Sequence, residues 1–144
     1  MITAFNHVGI SVANLERSIR FYRGLLDMQV IQEVPFEGER YEAILGLTGA
    51  KGRIAILRLA NLELEFFEFA HPAGRPAEPN RPVCDGGLAH FAVQVEDLAG
   101  MYARLKAAGV VFHCPPIDFG CAIATYLRDP DGNVIEMLQM PASA

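Results

Sequence analysis

Apolar and polar residues alternate most clearly in two stretches. In "HFAVQV", residues 90–95, Phe91, Val93 and Val95 fall on one side of an extended strand, and His90, Ala92 and Gln94 on the other. "HVGISV", residues 7–12, sets Val8, Ile10 and Val12 opposite His7, Gly9 and Ser11 in the same way. Each stretch then changes period. Asn14 suits the N-cap of a helix with Leu15, Ser18, Ile19, Tyr22, Leu25 and Leu26 on one face. Asp97 suits the same place before Leu98, Met101, Tyr102 and Leu105, with Gly109 as the stop. After the first helix, 28–36, 41–47, 53–58 and 61–69 read as strands, with a turn at "TGAKG". After the second, 110–114, 121–128 and 133–140 do. "DPDGN" joins the last two, because Asp131-Gly132 suits the positive backbone angles of a hairpin.

The halves repeat. At one constant displacement His7 lies on His90, Ile10 on Val93, Val12 on Val95 and Leu15 on Leu98. "LELEFFEF", residues 62–69, lies on "VIEMLQM", residues 134–140, and brings Glu65 onto Glu136. Between the halves, 71–84 carries Pro72, Pro76, Pro79 and Pro82 and reads as an extended linker. The pattern predicts an α+β domain of two tandem βαβββ modules, 1–70 and 85–144.

Composition narrows the classes. A chain of 144 residues that is 51% hydrophobic has ample material for a packed core, which excludes disorder. A net charge of −5 without a Lys/Arg block excludes a nucleic-acid partner. The apolar runs fall well short of the roughly 18–20 residues of a membrane span, and no stretch reads as a signal peptide. Cys84, Cys114 and Cys121 are irregularly spaced, which is neither a disulfide framework nor a CxxC metal motif. A cytoplasmic protein without membrane contact is expected.

The repeated acids and histidines carry the chemistry. If the first and last strands of each module are neighbours, His7 with Glu65 and His90 with Glu136 each present one nitrogen and one oxygen donor. Such a set suits one divalent ion: Ni, Zn, Mn, Co or Fe(II). Phe67 and Phe69 share strand parity with Glu65 and suit an apolar wall of a substrate pocket; Gln94 shares parity with His90 and suits a hydrogen bond to substrate. Tyr41, Arg53, Tyr126 and Arg128 are further candidates for orienting substrate, Arg128 fitting better as a brace of the "RDPDG" turn. His71 and His113 lie in or beside proline-flanked, loop-like sequence and stand outside the ligand set.

"HVGISVANLERSIRFYRGLL", "GLAHFAVQVEDL" and "YLRDPDGNVIEML", in this order, resemble the vicinal oxygen chelate superfamily over nearly the whole chain. That superfamily holds glyoxalase I, methylmalonyl-CoA epimerase, fosfomycin-resistance enzymes, bleomycin-binding proteins and extradiol dioxygenases. The resemblance implies an open, cupped, mixed β-sheet with helices outside. It implies a divalent metal held by His7, Glu65, His90 and Glu136, a small-molecule substrate and a homodimer. The activity implied is that of an isomerase, lyase or epimerase. The metal would polarise a small carbonyl substrate and stabilise its enediolate, with Glu136 as the first choice for proton transfer and Glu65 as the second. Two alternatives follow from the same resemblance: an Fe(II) extradiol-type dioxygenase, and a non-catalytic antibiotic-binding protein. A fourth ligand at Glu65 argues against the first, and an intact ligand quartet against the second. The arginine that glyoxalase I commonly carries just after the first His is missing from "VGISV", and the asparagine after the first Glu from "FFEFAHP".

Overall fold

The computed structural model describes residues 1–141; 142–144, the end of the second expected module, lie outside the described residues. The elements run β1 (Val8–Ser11), α1 (Leu15–Leu25), β2 (Gln29–Glu37), α2 (Glu39–Leu45), β3 (Lys51–Leu59) and β4 (Leu62–His71), then β5 (Phe91–Gln94), α3 (Leu98–Ala107), β6 (Val111–Phe112), β7 (Ile117–Asp118), β8 (Ile123–Arg128) and β9 (Val134–Gln139). Internal contacts divide the chain into two compact units, Met1–Ala77 and Glu78–Ala144. Each unit is of βαβββ type, and neither sheet closes on itself.

The first unit has strand order β1-β4-β3-β2, with β1 parallel to β4 and the other pairs antiparallel. Asn14 caps α1 by accepting the Arg17 N–H, and α1 buries Leu15, Ser18, Ile19, Phe21 and Tyr22. Tyr22 packs on Phe66 of β4, ring centroids 4.7 Å apart, so the helix covers the face that also carries Leu64, Ala55 and Leu57. Burial of each such large side chain contributes about 1.5–3 kcal/mol. The opposite face carries Glu65, Phe67 and Phe69.

One expected strand is corrected. Residues 41–47 do not extend; α2 occupies Glu39–Leu45 and ends at Gly46, whose left-handed backbone (φ 65°) stops it. Helical spacing brings Tyr41 and Leu45 together onto a small core of Phe36, Ala50 and Ile54. The last strand of this unit also runs on to His71, the first residue of the expected linker.

Residues 72–90 form no strand or helix. Their second part is held within the second unit, where Arg128 donates to the Arg81 carbonyl at 3.0 Å. The sheet there has order β5-β9-β8-β6, with β7 also on β8, and β5 is parallel to β9. Asp97 caps α3 by accepting the Gly100 N–H, and α3 buries Leu98 and Leu105. The repeat reaches the helix starts. Glu68 Oε1 accepts the Leu15 N–H at 3.1 Å, and Gln139 Oε1 accepts the Leu98 N–H at 2.8 Å. In both units the last strand is thereby tied to the first turn of the helix.

Candidate metal centre

In each unit the residue just before the first strand meets the last strand. β1 pairs with β4 so that Gly9 lies beside Glu65. His7 shares parity with Gly9 and therefore projects on the Glu65 side. Its Nε2 lies 3.2 Å from Glu65 Oε2, the side chains being 40% and 22% exposed. In the second unit β5 pairs with β9 so that Ala92 lies beside Glu136. His90 Nε2 lies 3.2 Å from Glu136 Oε2, the side chains being 32% and 22% exposed. Gly9 and Ala92, both small, are the residues beside the two acids, and a Cβ on Gly9 would meet only the Phe67 ring, at 4.0 Å.

That spacing tests whether the donors fit a metal. Bonds of about 2.0–2.2 Å from nitrogen and oxygen to one ion place adjacent donors roughly 2.8–3.6 Å apart, from octahedral to tetrahedral angles. Both pairs fall in this range, and imidazole with carboxylate is a donor set for borderline-to-hard divalent ions. Sulfur plays no part in either pair: Cys84 and Cys121 are exposed and Cys114 is half-buried. Among the described residues, neither pair has a third His, Cys, Asp or Glu gathered to it.

The surroundings of the pairs differ. On the Glu65 face, Phe67 and Phe69 stack at 5.9 Å, and Phe36 meets them edge-on at 5.8 and 5.3 Å. Tyr41 joins through Phe36 at 5.3 Å. Phe36 is only 1% exposed, whereas Phe67 and Phe69 are half-buried and line an apolar stretch beyond Glu65. In the second unit Tyr126 is the cross-strand neighbour of Glu136, and its ring lies 5.0 Å from that of His90. Burial, and next the charge of Glu136, push the Tyr126 phenol up. Gln94 is exposed on the same side of β5 as Ala92.

Other candidates lie elsewhere. Arg53 is on the α1 face, 2.7 Å from Glu68 and 2.8 Å from Glu16, so its guanidinium is engaged in tying β3 and β4 to the helix. Those hydrogen bonds raise its pKa further. Arg128 braces the hairpin, donating to the Gly132 carbonyl at 2.7 Å. His71 ends β4 opposite Lys51, beside a cavity of about 430 Å³ lined also by Glu37 and Glu42. His113, set aside in the sequence, has its ring 5.8 Å from Tyr126. Burial, and then the charge of Arg128, lower its pKa. Pairing of "VFH" with "YLR" across the sheet was the signal for that neighbour. A second residue the sequence reading passed over is Asn6, whose Oδ1 lies 2.6 Å from His7 Nδ1.

Residues 4–137 match the family described as Glyoxalase/Bleomycin resistance protein/Dioxygenase superfamily. The chain belongs to that superfamily. Among curated relatives, the lactoylglutathione lyase of Neisseria meningitidis is 26% identical over 136 residues, 92% of this chain and 88% of that one. Among solved structures, a glyoxalase family protein from Bacillus cereus has a TM-score of 0.89 at 21% identity, covering 97% of this chain and 95% of that one. The fosfomycin resistance protein FosX of Listeria monocytogenes, solved with Mn(II) and sulfate, has a TM-score of 0.65 at 17% identity, covering 99% and 96%. Superfamily membership and the shared fold thus agree with the sheet order and the repeat described above.

Proposed function

We propose that the protein is a metal-dependent, glyoxalase-like enzyme of isomerase, lyase or epimerase type, acting on a small carbonyl substrate. His7, Glu65, His90 and Glu136 are the metal ligands in this reading. The observation that carries it is the His–Glu pair at 3.2 Å, present once in each unit. The lactoylglutathione lyase relative supports a lyase-type activity, and FosX with Mn(II) supports a divalent ion on this fold.

A divalent ion, when bound, supplies Lewis acidity toward two neighbouring substrate oxygens. The chain supplies the rest. The two imidazoles and Glu65 hold their donor atoms toward the ion, and Glu136 takes the proton from the carbon beside the carbonyl and returns it. A positioned base of this kind contributes about 10²–10⁴-fold. Glu65 is the second choice for the same task. Tyr126, its phenol kept protonated, donates a hydrogen bond to a substrate oxygen, and Gln94 offers a second. Phe67 and Phe69, backed by Phe36 and Tyr41, seat the apolar part of the substrate and exclude water. Because Glu16 and Glu68 engage Arg53, that residue gives no anchor for a substrate carboxylate such as that of glutathione. The reading includes a homodimer working in the cytoplasm.

Elemental mass spectrometry of protein purified without added metal tests this reading, on wild type and Glu65→Ala. The expected result is about one Ni, Zn, Mn or Co per chain, falling sharply in the variant. That outcome directs a substrate screen to 2-oxo thioesters and hemithioacetals. Iron retained by both proteins would favour the ring-cleaving dioxygenase and a catechol screen. No metal in either, even after reconstitution, would overturn the enzyme mechanism and leave the antibiotic-binding module.

A further inference from the structure

The two His–Glu pairs match in distance but not in what stands behind the imidazole. Asn6 precedes His7, whereas Ala89 precedes His90. Asn6 Oδ1 and His7 Nδ1 are 2.6 Å apart. An amide oxygen can only accept, so the ring donates from Nδ1. In a neutral imidazole the other nitrogen then carries the lone pair. That nitrogen is the one 3.2 Å from Glu65 Oε2. Two acceptors at this distance repel one another unless a proton or a metal cation lies between them. Ala89 has no polar side-chain atom to play the part of Asn6, and the ring of His90 is instead flanked by Tyr126 at 5.0 Å.

We propose that Asn6 is a positioning residue for a divalent cation. It holds His7 in the Nδ1–H tautomer, turns Nε2 toward the Glu65 oxygen, and makes the first pair the pre-oriented half of the ligand set. His90 is oriented by ring packing rather than by an acceptor, so the two halves of the repeat differ in how firmly they present nitrogen. The proposal rests on the metal reading above. Without an acceptor at Nδ1 a neutral ring carries its proton on either nitrogen, and the fraction with the proton on Nε2 cannot bind metal there. Outer acceptors of this kind change metal affinity about 10–100-fold.

The test compares the whole chain as wild type, Asn6→Asp and Asn6→Leu. Aspartate keeps an oxygen on the same branch, and leucine keeps the branched shape without one. Asn6 is exposed, and Asn6→Ala reads the same loss should leucine disturb the fold. Long-range proton–nitrogen NMR of the metal-free protein in mildly alkaline buffer reports which nitrogen of each imidazole is protonated. Competition with a chromogenic chelator reports affinity for Zn(II) and Mn(II). Wild type and Asn6→Asp are expected to show His7 with bare Nε2. Asn6→Leu is expected to move part of the proton to Nε2 and to bind both ions about 10–100-fold more weakly, with the His90 signals unmoved. Two protonated nitrogens on His7 in wild type, an unchanged tautomer in Asn6→Leu, or equal affinity in wild type and Asn6→Leu would each overturn the proposal while the metal reading stands. Asn6→Asp binding as weakly as Asn6→Leu would overturn it too. Wild-type protein that takes up neither ion overturns the metal reading itself, and the proposal with it.

Discussion

Glu65 and Glu68 are both acids in one apolar strand, yet they serve opposite faces of the sheet. Strand parity separates them: Glu65 projects with Phe67 and Phe69 beside His7, and Glu68 projects toward α1. The parity of Glu65 with Phe67 and Phe69 was legible in the sequence, whereas Glu68 read as a residue of a solvated face. What Glu68 does was not legible, because its partners, Arg53 and the Leu15 N–H, come from other elements. For the same reason the sequence leaves Arg53 open as one of several candidates for orienting substrate, since no local pattern shows that Glu16 and Glu68 engage its guanidinium. Burial pushes the Glu68 carboxyl up, but the Arg53 hydrogen bonds, the Leu15 N–H and the Arg53 charge together outweigh it and hold the pKa below its ordinary value of 4.5. A carboxyl depressed in the folded state stabilises above its unfolded pKa and loses that stabilisation as pH falls through the folded value. Glu68→Gln keeps an acceptor for Leu15, as Gln139 does for Leu98, and removes only the charge. The partly exposed Arg53 limits the cost to about 1 kcal/mol at pH 7. Urea unfolding of both proteins from pH 7 downward is expected to show that difference shrinking below about pH 4.5, as pH falls toward and through the folded value. A difference that does not shrink as pH falls would assign it to packing instead.

At the scale of elements, the helices with caps and long apolar faces were legible, and so were the strands with clean alternation. Residues 41–47 were not. "YEAILGL" puts apolar residues at positions that satisfy both periods over so short a run, and only the flanking glycines separate the two. Gly46 ends α2 with φ 65° in open surroundings, so alanine there meets backbone strain but no neighbour. Gly52 is the contrary case. It lies where the β3–β4 register shifts, and a Cβ on it would run into the Glu68 carbonyl oxygen and press on the Phe36 ring. The sheet itself must move to admit alanine. Gly46→Ala is expected to cost about 1 kcal/mol and Gly52→Ala about 3 kcal/mol. The check is the urea midpoint of each variant at unchanged slope. Gly52→Ala costing no more than Gly46→Ala would mean that this bulge yields without strain.

For the whole molecule, duplication made the fold readable. A strand and a capped helix met twice at one displacement, and a returning last strand met twice at a shorter one, leave few topologies, and the two units realise the same one with β1 on β4 and β5 on β9. The ligand candidates were legible for the same reason: a His before one strand and a Glu in another become a pair when the strands are parallel neighbours. Tyr126 was a candidate from the sequence, but its place beside His90 was not legible, nor were His113 beside it and the asparagine behind His7, because nothing in the repeat duplicates them. Duplication also bears on stability. In the proposed reading four residues serve one ion, where a lone His–Glu pair offers two donors, so removing either carboxylate is expected to weaken the whole response of the protein to metal. An ion that binds only the native state at a free concentration of 100 times its Kd adds about 2.7 kcal/mol. At about 2–4 °C per kcal/mol for a chain of this size, stripping it with EDTA is expected to lower Tm by roughly 5–11 °C. Differential scanning calorimetry of Glu65→Ala and Glu136→Ala is then expected to show little EDTA response in either variant, although the two residues stand on different units. If each variant keeps half of the wild-type response, the pairs hold separate ions, and the four-ligand centre gives way to two weaker sites of two protein ligands each.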